Sequence, residues 1–343
     1  MRRTLAVFLA LFLLILAGCG GTKTEAPKET KPAAEAPKPA APVQTYNINI
    51  GTATTGGAYY PIGNAIAKLW NEKVPGVKAS AQATSGTPHN IQLMGKKEAE
   101  VGIAQSGVVY QAVQGTGAYK DQGKQSFFRG MTHLYPNVMQ WVVRKDGTAK
   151  SLADLKGKKF IPGPQNSATE LNSREMLAVL NLDYRTRNDL KADYMDYSQA
   201  ADQLKNRQTD AILIAGGLPT AAVLDVMTAG EGKLLSLPDD YIKELTTKYP
   251  WYFPATIPAG TYKGQEAEVK TVAVANMLII RADLPDDLVY NLVKAMYDNR
   301  TDLVAAHSAM KDFLLKDGLK GITGVVDLHP GAAKYFKEKG ILK

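Results

Sequence analysis

The order strand, polar turn, helix is written three times between Tyr46 and the residues after Gly107, and it constrains the fold more than any other feature of the chain. "Tyr46-Asn47-Ile48-Asn49-Ile50" alternates as a half-buried strand does. A glycine- and threonine-rich turn, Gly51 to Gly57, leads into a helix with apolar residues at Ile62, Ala65, Ile66, Leu69 and Trp70. That is the stripe of a helix packed on one face, and Pro61 suits its first turn, where a missing N–H costs nothing. Val77 to Ala83, the turn "Thr84-Ser85-Gly86-Thr87-Pro88" and a helix from Pro88 to Lys97 repeat the pattern. "Val101-Gly102-Ile103-Ala104", the turn "Gln105-Ser106-Gly107" and another helix repeat it again. Such repetition predicts a parallel sheet with helices on its faces.

A second block has the same form. "Lys159-Phe160-Ile161" leads to "Gly163-Pro164-Gln165-Asn166-Ser167-Ala168-Thr169-Glu170" and a long helix through Leu180. "Ala211-Ile212-Leu213-Ile214" leads to a Gly-Gly-Leu-Pro turn and a helix through Met227. Met139 to Arg144 and Val272 to Ile280 read as strands crossing between the blocks. The expected fold is α/β and two-lobed, with residues 46–141 plus 273–343 as lobe I, 142–272 inserted as lobe II, and a ligand cleft between them. Every polar turn named so far ends a strand, the edge where open α/β sheets bind ligands.

Ahead of this body, Arg2 and Arg3 precede an apolar run from Leu5 to Ala17 and then Gly18-Cys19, the layout of a secretory signal over residues 1–18. The run is short for a membrane span, which takes roughly 20 residues. "Leu16-Ala17-Gly18-Cys19" resembles the lipobox of bacterial lipoproteins, which implies lipidation at Cys19 and anchoring to the cell membrane outside the cytoplasm. Cys19 is the sole cysteine, so the body is expected to have no disulfide, thiol nucleophile or cysteine metal site. The rest of residues 19–45, rich in Pro, Ala, Lys and Glu, holds too little apolar surface to fold and reads as a tether.

The chain has 41 basic and 33 acidic residues, of which signal and tether hold six and three. The remaining excess of basic residues is scattered, densest at "Lys156-Gly157-Lys158-Lys159", which reads as a solvated turn. No basic stripe with interleaved aromatics suggests nucleic-acid binding. The Gly51–Gly57 turn lacks the lysine and hydroxyl of a phosphate-binding P-loop and the spacing of a dinucleotide turn. Ser106 is not in a G-x-S-x-G setting. His89, His133, His307 and His329 show no metal-ligand spacing. The pairs Asp239-Asp240 and Asp286-Asp287 read as charges at helix starts. No enzyme, metal or cofactor chemistry is expected.

Anion binding fits the turns better, because helix N-termini carry free N–H groups and a partial positive charge. Thr87 before Pro88, and the Ser167-x-x-Glu170 capping box, read equally as devices serving their own helices. Of Tyr59 and Tyr60, one can pack inside while the other closes over the cleft.

"Gly51-Thr52", "Gly57-Ala58-Tyr59-Tyr60-Pro61-Ile62-Gly63" and "Ala65-Ile66-Ala67" resemble the N-terminal signature of the TAXI family, the solute receptors of tripartite ATP-independent periplasmic (TRAP) transporters. "Thr84-Ser85-Gly86-Thr87" with Asn90, "Ala104-Gln105-Ser106", Leu152 to Lys158, Ile257 to Gly264 and "Leu328-His329-Pro330-Gly331-Ala332" continue the likeness across the body. The resemblance implies a type II periplasmic-binding-protein fold that closes on a small carboxylate, glutamate- or glutamine-like or a dicarboxylate, and delivers it to a membrane permease. Carried over, the ligand-binding residues are Thr54, Thr55, Gly56, Gly57, Tyr59, Tyr60, Thr84, Ser85, Gly86, Thr87, Asn90, Gln105, Ser106, Asn166, Ser167, Ala168 and Thr169. Relatives often have Gly-Ser-Gly-Thr where this chain has Asn166-Ser167-Ala168-Thr169, and alanine does not readily enter positive φ. A carboxylate-clamping arginine is not evident; Arg144 and Arg281 are candidates by position alone. The rival readings are an ABC-type binding lipoprotein, a ligand sensor for a membrane kinase, and an enzyme on the same fold.

Overall fold

The computed structural model describes residues 44–343, so the signal, Cys19 and nearly all of the tether lie outside the described residues. The strands are β1 (Tyr46–Gly51), β2 (Val77–Gln82), β3 (Val101–Gln105), β4 (Phe128–Arg144), β5 (Lys159–Ile161), β6 (Lys191–Ala192), β7 (Ala211–Gly216), β8 (Gly232–Leu234), β9 (Tyr252–Ile257) and β10 (Val269–Arg281). The helices are α1 (Tyr59–Lys73), α2 (Thr87–Gly95), α3 (Ser106–Gln114), α4 (Ala168–Val179), α5 (Tyr197–Lys205), α6 (Ala221–Ala229), α7 (Asp239–Lys248), α8 (Asp286–Asp298), α9 (Arg300–Ala306) and α10 (Pro330–Glu338). All ten strands join one sheet in the order β2-β1-β3-β10-β4-β7-β5-β6, with β8 added on β4 and β9 on β10.

Parallel pairing holds within two sets, β2-β1-β3 and β6-β5-β7. Between them the sheet is antiparallel. β4 and β10 pair with each other, β10 also with β3, and β4 also with β7. β10 meets β3 through Asn276–Ile280 and β9 through Val269–Val274, so one continuous strand serves both halves of the sheet. β4 serves both as well, over 17 residues. Two long strands tying two α/β halves together is the two-lobed arrangement of type II periplasmic binding proteins. The sequence marks most of β10, as Val272–Ile280, but only the end of β4. Phe128–Asn137 carries Gly130, His133 and Pro136 and is buried on both faces, so no alternation announces it.

Each half has its own core. In the first, Ile62, Ile66, Leu69 and Trp70 of α1 pack with Ile48, Ile50 and Ile103 of the strands and with Leu292 and Val293 of α8. Trp70 Nε1 donates to the Leu292 carbonyl at 3.1 Å, which satisfies its buried N–H. In the second half, Trp141, Phe160, Leu177, Leu213 and Leu245 form the corresponding cluster. The paired aspartates head α7 and α8, where N-terminal charge is favourable.

Candidate functional site

Four strand-to-helix junctions converge: β1 to α1, β2 to α2, β3 to α3 and β5 to α4. Residues from all four junctions line one small cavity. Ala53, Thr54, Gly57, Ala58 and Tyr59 come from the first; Ser85, Gly86 and Thr87 from the second; Gln105 from the third; Pro164, Ser167, Ala168 and Thr169 from the fourth. Asn137 of β4, Tyr197 of α5 and Ala215 of β7 complete the wall. Both halves of the sheet therefore contribute. The cavity measures about 30 Å³, space for a water or two rather than an amino acid. A solute of that size is admitted only if the halves part.

The first junction is a tight turn, with Gly57 N donating to Thr54 O at 3.1 Å. Thr54 Oγ1 is buried without a partner. The choice between the tyrosines is resolved: Tyr59 is buried on the cavity and its hydroxyl donates to Asn276 Oδ1 at 2.5 Å, whereas Tyr60 is half-buried and away from it. Thr55 is exposed and Gly56 lies behind the turn, its carbonyl accepting from Ala222 N at 3.4 Å.

At the second junction Gly86 adopts φ +108°, a conformation that needs glycine, and it caps α2. Thr87 is therefore the first helical residue and not the cap; its Oγ1 accepts from Gln105 N at 3.0 Å, joining the second and third junctions. Thr84 and Asn90 do not reach the cavity. Asn90 Nδ2 bridges the carbonyls of Gly51, Thr52 and Ile103 at 3.1, 2.8 and 2.9 Å, and its Oδ1 lies 2.7 Å from Thr84 Oγ1. Every polar atom of that amide is engaged, so Asn90 is a clamp between β1 and β3. Ser106 is buried at the start of α3, off the cavity.

The fourth junction answers the question of the missing glycines. Asn166 takes φ +58°, the left-handed region that asparagine tolerates, and it is exposed outside the cavity. Ala168 is the first residue of α4, so no positive φ is asked of it. Ser167 Oγ accepts from Glu170 N at 3.1 Å, one half of the capping box. The other half is absent, because the Glu170 carboxylate is bound by Arg174 and by Tyr184 Oη at 2.7 Å. Thr169 Oγ1 lies 2.5 Å from Tyr197 Oη, which also donates to Ala215 O at 3.0 Å.

Sequence reasoning missed Asn137, Tyr197, Ala215 and the layer behind them. Tyr135 Oη, Asn137 Oδ1 and Asn276 Nδ2 are all buried without a partner. Their signal was present, since an asparagine inside an apolar strand such as Val272–Ile280 demands a hydrogen-bonding reason. Burial, with the neighbouring Tyr135 and Tyr197, pushes the Tyr59 hydroxyl well above its usual pKa, and burial raises those of Tyr135 and Tyr197. All three stay neutral. Neither arginine candidate is near: Arg144 is held by Asp146 and Asp210, and Arg281 by Asp283 and Glu100. The lining carries no charged side chain, so helix N-termini and neutral dipoles supply its field. Among the described residues, no three His, Cys, Asp or Glu side chains are grouped to hold a metal.

Residues 50–340 match the model of the NMT1-like family. The chain belongs to that family. Among solved structures, this NMT1-like chain is similar to a protein from Bordetella bronchiseptica RB50, with 15% identity over 85% of this chain and 88% of that one and a TM-score of 0.51. It is also similar to the alkanesulfonate-binding protein of Xanthomonas axonopodis pv. citri bound to MOPS (14% identity, 89% and 82% coverage, TM-score 0.47). A third is an ancestral arginine-binding protein bound to arginine (17% identity, 78% and 98% coverage, TM-score 0.46). At such identities the likeness is one of fold.

Proposed function

We propose that the protein is an extracytoplasmic solute receptor that closes on a small carboxylate and delivers it to a membrane permease, with no chemistry done on the solute. The observation that carries this reading is the cavity itself: strand-end turns and helix starts from both halves surround it, and its polar side chains include atoms that no protein group satisfies. Buried orphans cost about 1–3 kcal/mol each, a cost that a bound solute removes. The neutral lining suits a ligand that must be released again.

In the finer form of the reading the receptor serves a TRAP transporter, belongs with the TAXI receptors, and is lipid-anchored at Cys19 behind the tether. Residues 46–141 plus 273–343 and 142–272 are then the lobes that rock about β4 and β10. A glutamate- or glutamine-like acid or a dicarboxylate is the solute class. An ABC-type receptor or a sensor for a membrane kinase would share the cavity and differ in its docking partner.

A thermal-shift screen of ligand-stripped protein against amino acids, dicarboxylates, 2-oxo acids and sugars tests the class, since a ligand of the native state raises Tm by mass action. A rise with an acid supports the reading; rises with sugars alone would contradict it. Uptake into vesicles holding the permease then separates the transporter types, because TRAP-type uptake proceeds without ATP and ABC-type uptake does not.

A further inference from the structure

Accepting the receptor reading, in which the two halves close on a solute, we propose that closure takes up a proton from solvent at Glu175, so that the solute is held more tightly at acidic than at alkaline pH. Glu175 does not line the cavity. It stands on α4 of the second half and faces α3 of the first. Gln111 of α3 donates through Nε2 to Oε1 of its carboxylate at 2.9 Å, and Gln111 Oε1 accepts from Ala118 N at 3.0 Å, which fixes the orientation of the amide. Trp251 Nε1 and Tyr252 Oη, from the second half, donate to Oε2 at 3.1 and 2.6 Å. Gly107 and Tyr110, on the same face of α3, close against Trp251: no Cβ fits at Gly107 beside that indole, and the Tyr110 ring lies 5.9 Å from it between centroids. Both halves therefore cover the carboxyl, and parting them takes α3 away and lets water reach it.

Little charge offsets that enclosure. Arg174, beside it on α4, is bound to Glu170. Lys248 of α7 turns to Ala178 O and to the Tyr249 ring. The other ionisable groups that face it, Tyr110 of α3 with Tyr249 and Tyr252 near β9, are phenols. Burial outweighs Arg174 and the three hydrogen bonds and lifts the carboxyl from 4.5 to about 7. Water admitted by opening returns it towards the ordinary value. A group whose pKa is higher closed than open binds protons on closing, so the gain is full below the open value and lost as pH rises through the closed one. The neutral acid also has an acceptor for its proton in Tyr252 Oη, which now accepts from Asn172 Nδ2 at 2.7 Å. When the Asn172 amide turns over, its Oδ1, buried without a partner, takes the tyrosine proton, and Nδ2 becomes the unpartnered atom instead.

The test is a calorimetric titration of the full chain in detergent, stripped of ligand, with glutamate, glutamine, alanine, 2-oxoglutarate and lactate at pH 6, 7 and 8, each in two buffers of different ionisation enthalpy. These acids keep essentially one charge state over that range. Whichever binds should do so about tenfold more tightly at pH 6 than at pH 8, with uptake of about half a proton per solute at pH 7. Glu175→Gln, which has no carboxyl to protonate, should still bind and should lose both the pH dependence and the uptake. An affinity constant within about twofold from pH 6 to 8, or a pH slope that Glu175→Gln keeps, would overturn the proposal and leave the receptor reading standing. Saturable binding of none of the acids at millimolar concentration would remove the carboxylate reading and the proposal together. The two-buffer comparison on the unaltered protein decides even if Glu175→Gln fails to fold.

Discussion

Gln111 of α3 donates to Glu175 of α4 at 2.9 Å, a side-chain bond from one half of the sheet's helices to the other. Tyr252 Oη and Trp251 Nε1 donate to the same carboxylate at 2.6 and 3.1 Å. Burial nevertheless dominates and lifts the Glu175 pKa from 4.5 to about 7, against those three bonds and the pull of Arg174. A carboxyl whose folded pKa is raised binds more protons folded than unfolded, so stability falls as pH rises from 4.5 towards 7 and the loss is complete above it. The cost at pH 8 is at most about 3 kcal/mol. Thermal melts from pH 5 to 8 should show this decline, and Glu175→Gln should flatten it. A variant that keeps the unaltered protein's pH slope would contradict the assignment.

Gly107 provides a second contact between the halves. A Cβ there would lie 2.4 Å from Trp251 Cδ1, inside any tolerable contact. Gly107→Ala should weaken solute binding by about tenfold, mainly through faster release, although Gly107 does not line the cavity. Removing the obstructing ring with Trp251→Ala in the same protein should recover part of the loss. Stopped-flow release rates make the comparison.

Thr55 and Thr87 look alike in the sequence, both hydroxyls in polar turns. In the fold Thr55 is exposed and Thr87 is fully buried on the cavity, bonded to Gln105 N. Thr55→Ala should leave affinity and stability within about 0.5 kcal/mol of the parent, as surface changes do. Thr87→Val should cost affinity and about 1–3 kcal/mol of stability, because it strands a buried N–H. Parallel titrations and urea melts read both.

Asn90→Ala should destabilise the protein by about 2–4 kcal/mol, since the carbonyls of Gly51, Thr52 and Ile103 lose an amide donor at once and Thr84 Oγ1 keeps only its bonds to Thr52 O and Gly86 N. A loss under 1 kcal/mol in urea melts would refute the clamp.

What was legible followed from periodicity. The stripe Ile62, Ala65, Ile66, Leu69, Trp70 and the short strands before the turns are local patterns, and they located β1 to β3, β5, β7 and their helices. The crossing strands were half-seen, since burial on both faces erases the alternation that would mark Phe128–Asn137. Site residues divided on geometry that sequence spacing does not carry. Ser85, Gly86, Thr87, Gln105 and Thr169 line the cavity, whereas Asn90, Thr84 and Ser106, one turn or less away, face the framework. Asn137 and Tyr197 come from a crossing strand and a helix start that no turn motif flags. Their convergence depends on how the two halves meet.

The central claim is that one solute is held by both halves together. The direct measurement is calorimetric titration of the tightest-binding acid into the unaltered protein, Thr87→Val from the first half and Thr169→Val from the second. Both variants should weaken the same ligand at least about tenfold while remaining folded. A loss confined to one variant, or to neither, would mean the solute sits elsewhere and the cavity between the halves is not its site.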